Sequence, residues 1–294
     1  MNGARLKIGL YMATQSFSML WYEKKLLLYF GIPSLISLVL KVLAYNAVAI
    51  PLDSPAELLY FTKKLLNSFL TIPEWEKFLA VASIHLANLA FMTFFSATLI
   101  HHLGHIMQGE KTGFKENLEK MYAKLWPIIS WTLIFLIVEL IILRASESSS
   151  FLLLLLTAFA TIAVFLYAFF ALVLIVFKDK PLLILIAQSG SITKEFLQEI
   201  LGGTFWFGLV FLMISAPAYI LWWVLAPTML QNFMILHPMK YQIFMFIGIF
   251  TTEIILRCVI STAFIIFKVM LYQLWRQKHA SQPEEQRYPS SLAG

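Results

Sequence analysis

The chain has 294 residues, of which 60% are hydrophobic and only 13% are charged. Soluble domains usually carry about 25% charged residues, so this composition excludes ordinary soluble domains and requires most of the surface to face lipid. The net charge of +6 comes from basic residues in loops between apolar runs, which favours anionic lipid headgroups over nucleic acid as a partner. The lone Cys258 excludes an intrachain disulfide.

Six apolar runs have the length and composition of membrane-spanning helices. A helix rises about 1.5 Å per residue, so about 20 residues cross a hydrocarbon layer about 30 Å thick. The clearest run, Phe151 to Phe177, contains no charge, glycine or proline. The sequence therefore predicts an all-α, polytopic transmembrane helical bundle with about six spans, at about residues 26–50, 78–106, 127–143, 151–177, 201–225 and 241–272.

The segments between the spans add predicted interfacial amphipathic helices. Residues 4–23 mix apolar and polar positions at helical spacing, which predicts a helix lying on the cytoplasmic face. Ser54-Pro55-Ala56-Glu57 is a capping box with proline at the first helical position, so it predicts an amphipathic helix that Pro73 ends. Between Phe114 and Trp126 the apolar residues form one stripe, which predicts a third amphipathic helix.

Two further segments complete the predicted organisation. Residues 181–198 are partly apolar and broken at Gly190, so they fit either a short re-entrant helix or a surface helix. Residues 1–274 are predicted to form the transmembrane domain. The polar, proline-containing residues 275–294 are predicted to form a disordered cytoplasmic tail.

The basic residues predict the orientation of the chain. Six spans place both termini on one side, and 15 of the 22 Lys and Arg residues fall in the loops of that side, against 5 in the opposite loops. Cytoplasmic loops carry an excess of Lys and Arg. We therefore expect a bacterial cytoplasmic (inner) membrane protein with both termini in the cytoplasm.

Three stretches share the pattern of a known family: FSMLWYEKKLLLYFGIPSLIS, FFSATLIHHLGHIMQGEKTGFKENLEKMYAKLWPIISW and AQSGSITKEFLQEILGG. In these stretches, which fall within residues 5–215, the chain resembles an uncharacterised bacterial family of six-helix integral membrane proteins with a domain of unknown function. The resemblance implies the six-helix fold and brings no activity, ligand or catalytic residue with it. The histidine cluster described below is not part of the family pattern.

Ionisable residues within spans are the first candidates for a functional site, because a charge in the membrane is costly. Glu253 and Arg257 are the best pair, since the spacing i,i+4 places them on one helix face. They fit either a structural ion pair or a polar point on a proton or solute path. Lys41 and Glu139 are weaker candidates, because the stem of Lys41 is long enough to snorkel and Glu139 lies near the end of its span beside Arg144.

His101, His102 and His105 form a second candidate cluster. His101 and His105 have the i,i+4 spacing that can hold a metal from one helix. The chain has only six histidines in total, however, and a di-iron membrane oxygenase needs several such pairs. We therefore predict no metal and no cofactor, and interpret the cluster as polar side chains at the mouth of a span or as a pH-sensing group.

These features leave three functional classes. A non-catalytic accessory or assembly subunit of a membrane complex fits best, with the lipid bilayer and protein subunits as partners and no nucleic acid. A transporter or channel component for a small solute, ion or proton is the alternative, supported by the intramembrane charges. A membrane-embedded metal enzyme has only the histidine cluster in its favour, and we predict that the chain is not an enzyme.

Overall fold

The computed structural model describes residues 3–37, 75–146, 151–220 and 238–280, and every regular element within these ranges is a helix. This confirms the all-α prediction. A short 3-10 helix, Lys24–Leu27, follows the first α-helix, and residues 28–37 are helical. The other α-helices are named in chain order: α1 (Gly3–Tyr22), α2 (Trp75–Met107), α3 (Phe114–Tyr122), α4 (Leu125–Ser146), α5 (Phe151–Ala168), α6 (Ala171–Phe177), α7 (Leu182–Glu195), α8 (Leu197–Ile220) and α9 (Pro238–Lys278).

The described helices confirm a polytopic membrane protein. Four of them contain stretches long and apolar enough to cross a membrane, and α3 with α4, bent by 75°, could make a fifth span. The predicted first span is described as helix only over residues 28–37. The rest of that span, the helix predicted after Ser54 and residues 221–225 of the fifth span lie outside the described ranges, so the number six stays a prediction. The four apolar stretches are Leu86–Met107, Leu155–Phe177, Leu197–Pro217 and Ile254–Lys278.

The last helix differs from its predicted bounds at both ends. Helix α9 runs from Pro238 to Lys278, and its most apolar part, Ile254–Lys278, begins after Glu253. The helix also continues past the predicted start of the tail, because Trp275 is buried and stacks on Tyr272 at 5.9 Å between ring centroids. The last helix therefore extends to Lys278, and the predicted division between a transmembrane domain and a tail stays a prediction.

The contacts divide the chain into two compact units. The first comprises Met1–Tyr29, Leu89–Trp206 and Thr262–Gly294, and its core is aromatic, with Phe169, Phe170, Phe267 and Tyr272 almost completely buried. The second comprises Phe30–Asn88 and Phe207–Ser261. Within the second unit the buried thiol of Cys258 on α9 lies 3.5 Å from the hydroxyl of Ser34.

A buried serine closes the break between α5 and α6. The helix is interrupted at Phe169 and Phe170, where backbone groups lose their partners along the helix. The Ser189 hydroxyl of α7 accepts a hydrogen bond from the Phe170 N–H at 3.0 Å and donates one to the Tyr167 carbonyl at 2.5 Å. Because a membrane interior offers no water for such groups, this side chain lets the span Leu155–Phe177 bend without leaving them unsatisfied. It also shows that α7 packs as a helix on the α5–α6 span.

Helix α1 is packed directly against the start of α8. At Gly9 the backbone lies against the Glu199 carbonyl, and at Gly202 a Cβ atom would lie only 2.5 Å from the Leu6 carbonyl oxygen. Such closeness of two backbones needs glycine at the contact. The helix predicted over 4–23 is confirmed, and it is a packed helix of the first unit, while its position at the cytoplasmic face stays a prediction.

We predict that Gly202→Ala destabilises the protein by about 1–3 kcal/mol, because the new methyl group has to push two backbones apart. Gly208→Ala is the matched control, since in the part of the chain that the structure describes nothing lies within 4 Å of a Cβ atom at this position of the same helix. Alanine there should stabilise the helix by about 0.5–1 kcal/mol or leave it unchanged. Thermal melting of both purified variants in detergent tests this, and equal melting temperatures would contradict the close packing of α1 on α8.

Candidate functional site

The predicted histidine cluster lies where α2 ends and the chain turns back into α3. His101, His102 and His105 come from the last turns of α2, and we call Gln108 to Asn117 the 108–117 segment. It includes the loop between the helices and the first turn of α3. Each of the three imidazoles uses its Nδ1 atom to contact this segment. The cluster therefore joins two helix ends rather than lining an open face of α2.

Asn117 is the centre of this arrangement, and its side chain is completely buried at 0% exposure. Its Nδ2 lies 2.7 Å from the Gly113 carbonyl oxygen and 2.9 Å from His102 Nδ1. Its Oδ1 lies 2.7 Å from His101 Nδ1. The Thr112 hydroxyl adds contacts of 3.0 Å to both His102 Nδ1 and Asn117 Nδ2.

These contacts assign opposite tautomers to the two adjacent histidines. The Gly113 carbonyl can only accept, so the Asn117 amide must present its NH₂ group to it, and the Oδ1 atom then faces His101. An amide oxygen is an acceptor, so His101 carries its proton on Nδ1. His102 Nδ1 faces the second N–H of the amide and therefore has no proton, which places the proton of neutral His102 on Nε2.

His105 and Glu110 tie the other end of the 108–117 segment. The His105 Nδ1 atom contacts the Glu110 carboxylate, and both side chains are partly exposed. Between them the chain turns at Gly109, whose φ of +78° is the left-handed conformation that glycine adopts without strain. The segment is thus held at two points, Glu110 directly after the turn and Asn117 in the first turn of α3.

Aromatic side chains close the cluster on its apolar side. The Tyr29 ring lies 5.6 Å from the His102 ring and 4.8 Å from Phe114, measured between centroids. Phe114 also lies 6.4 Å from Phe95 of α2. Tyr29 and Phe95 are buried, so the histidine–asparagine contacts are shielded on this side.

Ionic contacts hold the other helix ends of the first unit together. The Arg5 guanidinium of α1 lies 2.6 Å from the carboxylate of Glu199, whose side chain is only 5% exposed, and it also donates to the Glu195 carbonyl. The Glu195 carboxylate lies 2.5 Å from the Lys278 ammonium at the end of α9. Lys124 donates to the carbonyls of Ile175 at 3.2 Å and Val176 at 2.7 Å, which satisfies the C-terminus of α6.

Lys268 differs from Arg5, Lys124 and Lys278, because no carboxylate or carbonyl contacts its ammonium among the described residues. It was counted above among the 15 basic residues of the loops, although the predicted span 241–272 contains it. It lies within the apolar stretch Ile254–Lys278, about 15 Å from the end of α9 at 1.5 Å rise per residue. Its ammonium is surrounded by protein atoms and lies 4.8 Å from the ring centroids of both Phe169 and Phe264. Among the described residues its only polar or aromatic contacts are these two cation–π contacts.

The other predicted site residues are described in part or not at all. Glu139 lies in α4, and Glu253 and Arg257 lie in α9, while the description does not extend to their side chains. Lys41 lies outside the described residues. Within the described part of the chain, no group of three or more His, Cys, Asp or Glu side chains could hold a metal ion. The structure thus brings together the three histidines and leaves the predicted intramembrane pair as a prediction.

The comparisons with known proteins returned no relative: no family model, no curated protein and no solved structure matches the chain. The family resemblance based on sequence stretches therefore stays a prediction.

We predict that Asn117→Leu destabilises the protein by about 1–3 kcal/mol, the cost of one buried unsatisfied group. Leucine has a similar size but leaves the His101 N–H without its partner, whereas the Gly113 carbonyl keeps the backbone N–H of residue 117 and His102 Nδ1 keeps the Thr112 hydroxyl. Glu119→Leu on the same helix is the control, because Glu119 is well exposed and should change stability by less than about 0.5 kcal/mol. Unfolding measured in detergent compares the two, and a loss below about 1 kcal/mol for Asn117→Leu would show that the amide does not hold the cluster.

Proposed function

We propose that this chain is a non-catalytic integral membrane protein that serves as an accessory or assembly subunit of a membrane complex. Its setting is the bacterial cytoplasmic membrane, with both termini in the cytoplasm. Its partners are the surrounding lipid and other membrane proteins. Support comes from how the polar side chains are used and from one exposed glycine on a span.

Most described polar clusters of the first unit hold helix ends together. The three histidines bind the 108–117 segment, Arg5 and Lys278 bind the carboxylates of Glu199 and Glu195, and Lys124 caps α6. Side chains that are used in this way stabilise a scaffold. A protein whose polar side chains hold its helix ends together is suited to present the outer faces of its helices to partner proteins.

The observation that carries the proposal is Gly208 on α8. This residue is exposed within the apolar stretch Leu197–Pro217, and no atom of the described residues lies within 4 Å of a Cβ atom there. Glycine in a helix interior costs about 1 kcal/mol relative to alanine, and packing on α1 explains Gly202 but not Gly208. Small residues on transmembrane helices allow a second helix to approach closely, and the exposed Phe205 and Leu212 offer apolar contacts one turn away on either side.

We predict that Gly208→Leu removes a bound partner without destabilising the protein, because the leucine side chain fills the space that a partner helix would use. The tagged full-length protein is extracted from its native membrane in mild detergent, and co-purifying membrane proteins are quantified by mass spectrometry. At least one should fall about tenfold or more in Gly208→Leu, which corresponds to about 1.4 kcal/mol of lost binding.

Ala160→Leu is the matched control, since Ala160 is an exposed small residue on a different span, α5. It should retain the partner at the wild-type level. If no membrane protein co-purifies with the wild type in a defined ratio, or if both variants lose it equally, the accessory role at this surface is wrong.

Transport of protons or small ions is the second candidate, and Lys268 is the observation that favours it. Ionisable residues within spans mark substrate and proton paths when no structural partner explains them. Lys268 has two phenylalanine rings as neighbours, and within the described chain no carboxylate pairs with it.

If Lys268 lies on a proton path, proteoliposomes with wild-type protein should dissipate an imposed pH gradient faster than protein-free vesicles. Lys268→Met should remove this difference while keeping or raising thermal stability, because it removes a charge from an apolar site. Lys178→Met changes a lysine at the end of α6, over Trp275 at 5.5 Å, and should leave the rate unchanged. Equal rates for wild-type and protein-free vesicles would exclude proton transport by this chain alone.

A further inference from the structure

We propose that His102 is a proton-operated latch: in its neutral form it holds the start of α3 against α2, and on binding a proton it releases Asn117. This regulatory role is separate from the proposed accessory function and does not depend on it. It follows from the positions of four polar groups: His101, His102, Asn117 and Gly113.

The proton has one place to bind on neutral His102. Its Nε2 atom already carries a hydrogen in the tautomer that Asn117 imposes, so the free position is Nδ1. A proton on Nδ1 would face the Asn117 NH₂ group 2.9 Å away. Two donors would then point at each other, so a hydrogen bond is replaced by a repulsion inside a buried site.

Rotation of the Asn117 amide does not remove this conflict. If the amide turned over, its Oδ1 atom would face the Gly113 carbonyl, which also only accepts, and its NH₂ group would face the N–H of His101. One unfavourable contact would be exchanged for two. The protonated imidazole instead has the Thr112 hydroxyl within 3.0 Å, which can accept its N–H. The contact of His102 therefore shifts from Asn117 of α3 to Thr112 of the preceding loop.

The neighbouring histidines respond differently to a proton. His101 would bind it on Nε2 and keep its Nδ1–H bond to Asn117, so it releases nothing. A proton on His105 strengthens its contact with the Glu110 carboxylate and keeps the loop attached there. The segment is then held at Glu110, directly after the turn at Gly109, and free at Asn117.

The charges around the pair also distinguish its two members. Glu23 is the carboxylate that acts electrostatically on His102, whereas Lys120 and Lys124 are the cations that act on His101. The titratable and charged groups facing the latch are thus His101, His105, Tyr29, Glu23, Glu110, Lys120 and Lys124.

Hydrogen exchange of the full-length protein in lipid nanodiscs tests the latch between pH 8 and pH 5.5. After correction for intrinsic exchange, amides of residues 108–122 should lose about tenfold of their protection as the pH falls, as expected for the loss of one buried hydrogen bond. The apolar stretch Leu155–Phe177 should keep its protection and serves as the internal reference. No change in residues 108–122 of the wild type would overturn the proposal.

Asparagine substitutions test which of the three histidines causes the pH response, because an asparagine amide can replace the Nδ1 contact but does not titrate. His102→Asn, whose Oδ1 can accept from Asn117, should keep residues 108–122 protected at low pH, whereas His101→Asn should still respond. Loss of the response in His105→Asn alone would place the switch at Glu110 and refute the role of His102.

Thr112→Val provides a second variant should His102→Asn fail to fold. It removes the acceptor that the protonated His102 needs, so the loss of protection should move to lower pH. An unchanged pH profile in Thr112→Val would contradict the transfer of the His102 contact from Asn117 to Thr112.

Discussion

Polar groups inside a membrane have no water to bind, and this constraint determines where the first unit is held together. A continuous helix satisfies its own backbone, so the vulnerable points are breaks and ends. At the α5–α6 break the Ser189 hydroxyl binds two backbone groups, and at the end of α6 Lys124 binds two carbonyls. At the start of α3 the Asn117 side chain adds a second hydrogen bond to the Gly113 carbonyl, which also accepts the Asn117 backbone N–H. In each case a single side chain binds backbone groups and attaches a neighbouring helix.

Lys124 and Lys268 show how the same residue type meets this constraint in two ways. Lys124 is surrounded by acceptors, two carbonyls and the Asp179 carboxylate at 3.0 Å, so its charge stabilises a helix end. Lys268 has only ring faces near its ammonium within the described chain, and one of these belongs to Phe264, one turn earlier on α9. The ammonium thus points away from the nearer helix end at Lys278 rather than toward it. A lysine that snorkels would point the other way, which is why Lys268 remains a functional candidate.

The spans and the stripe over 114–126 could be predicted from the sequence because both are local patterns. The run 151–177 is visible from its length and composition, and the amphipathic stripe from its spacing. The site could be predicted only in part. The three histidines were visible as a cluster, but Asn117 was one polar residue in an amphipathic helix, and nothing local shows that it is buried between two imidazoles. Arg5 and Glu199 are separated by 194 positions, so their pairing depends on the packing of α1 on α8. Gly9 and Gly202 allow that packing, and neither differs locally from an ordinary glycine.

The contacts of the first unit bear on the orientation that the basic residues predict. Gly104 near the end of α2 lies against Phe177 at the end of α6, Lys178 lies over Trp275 near the end of α9, and Glu195 before α8 binds Lys278. These helix ends therefore meet. Helices α2 and α6 both end at this point, so the chain between them has to run to the opposite end of the first unit and come back. This favours α4 as a membrane-crossing helix, despite its bend relative to α3. Tyr29 packs on His102 at the same end. Arg5 binds Glu199 and Lys278 binds Glu195, so both basic residues also lie where these helix ends meet. This packing is compatible with the predicted placement of both termini on one side, and the assignment of that side to the cytoplasm stays a prediction of the positive-inside rule.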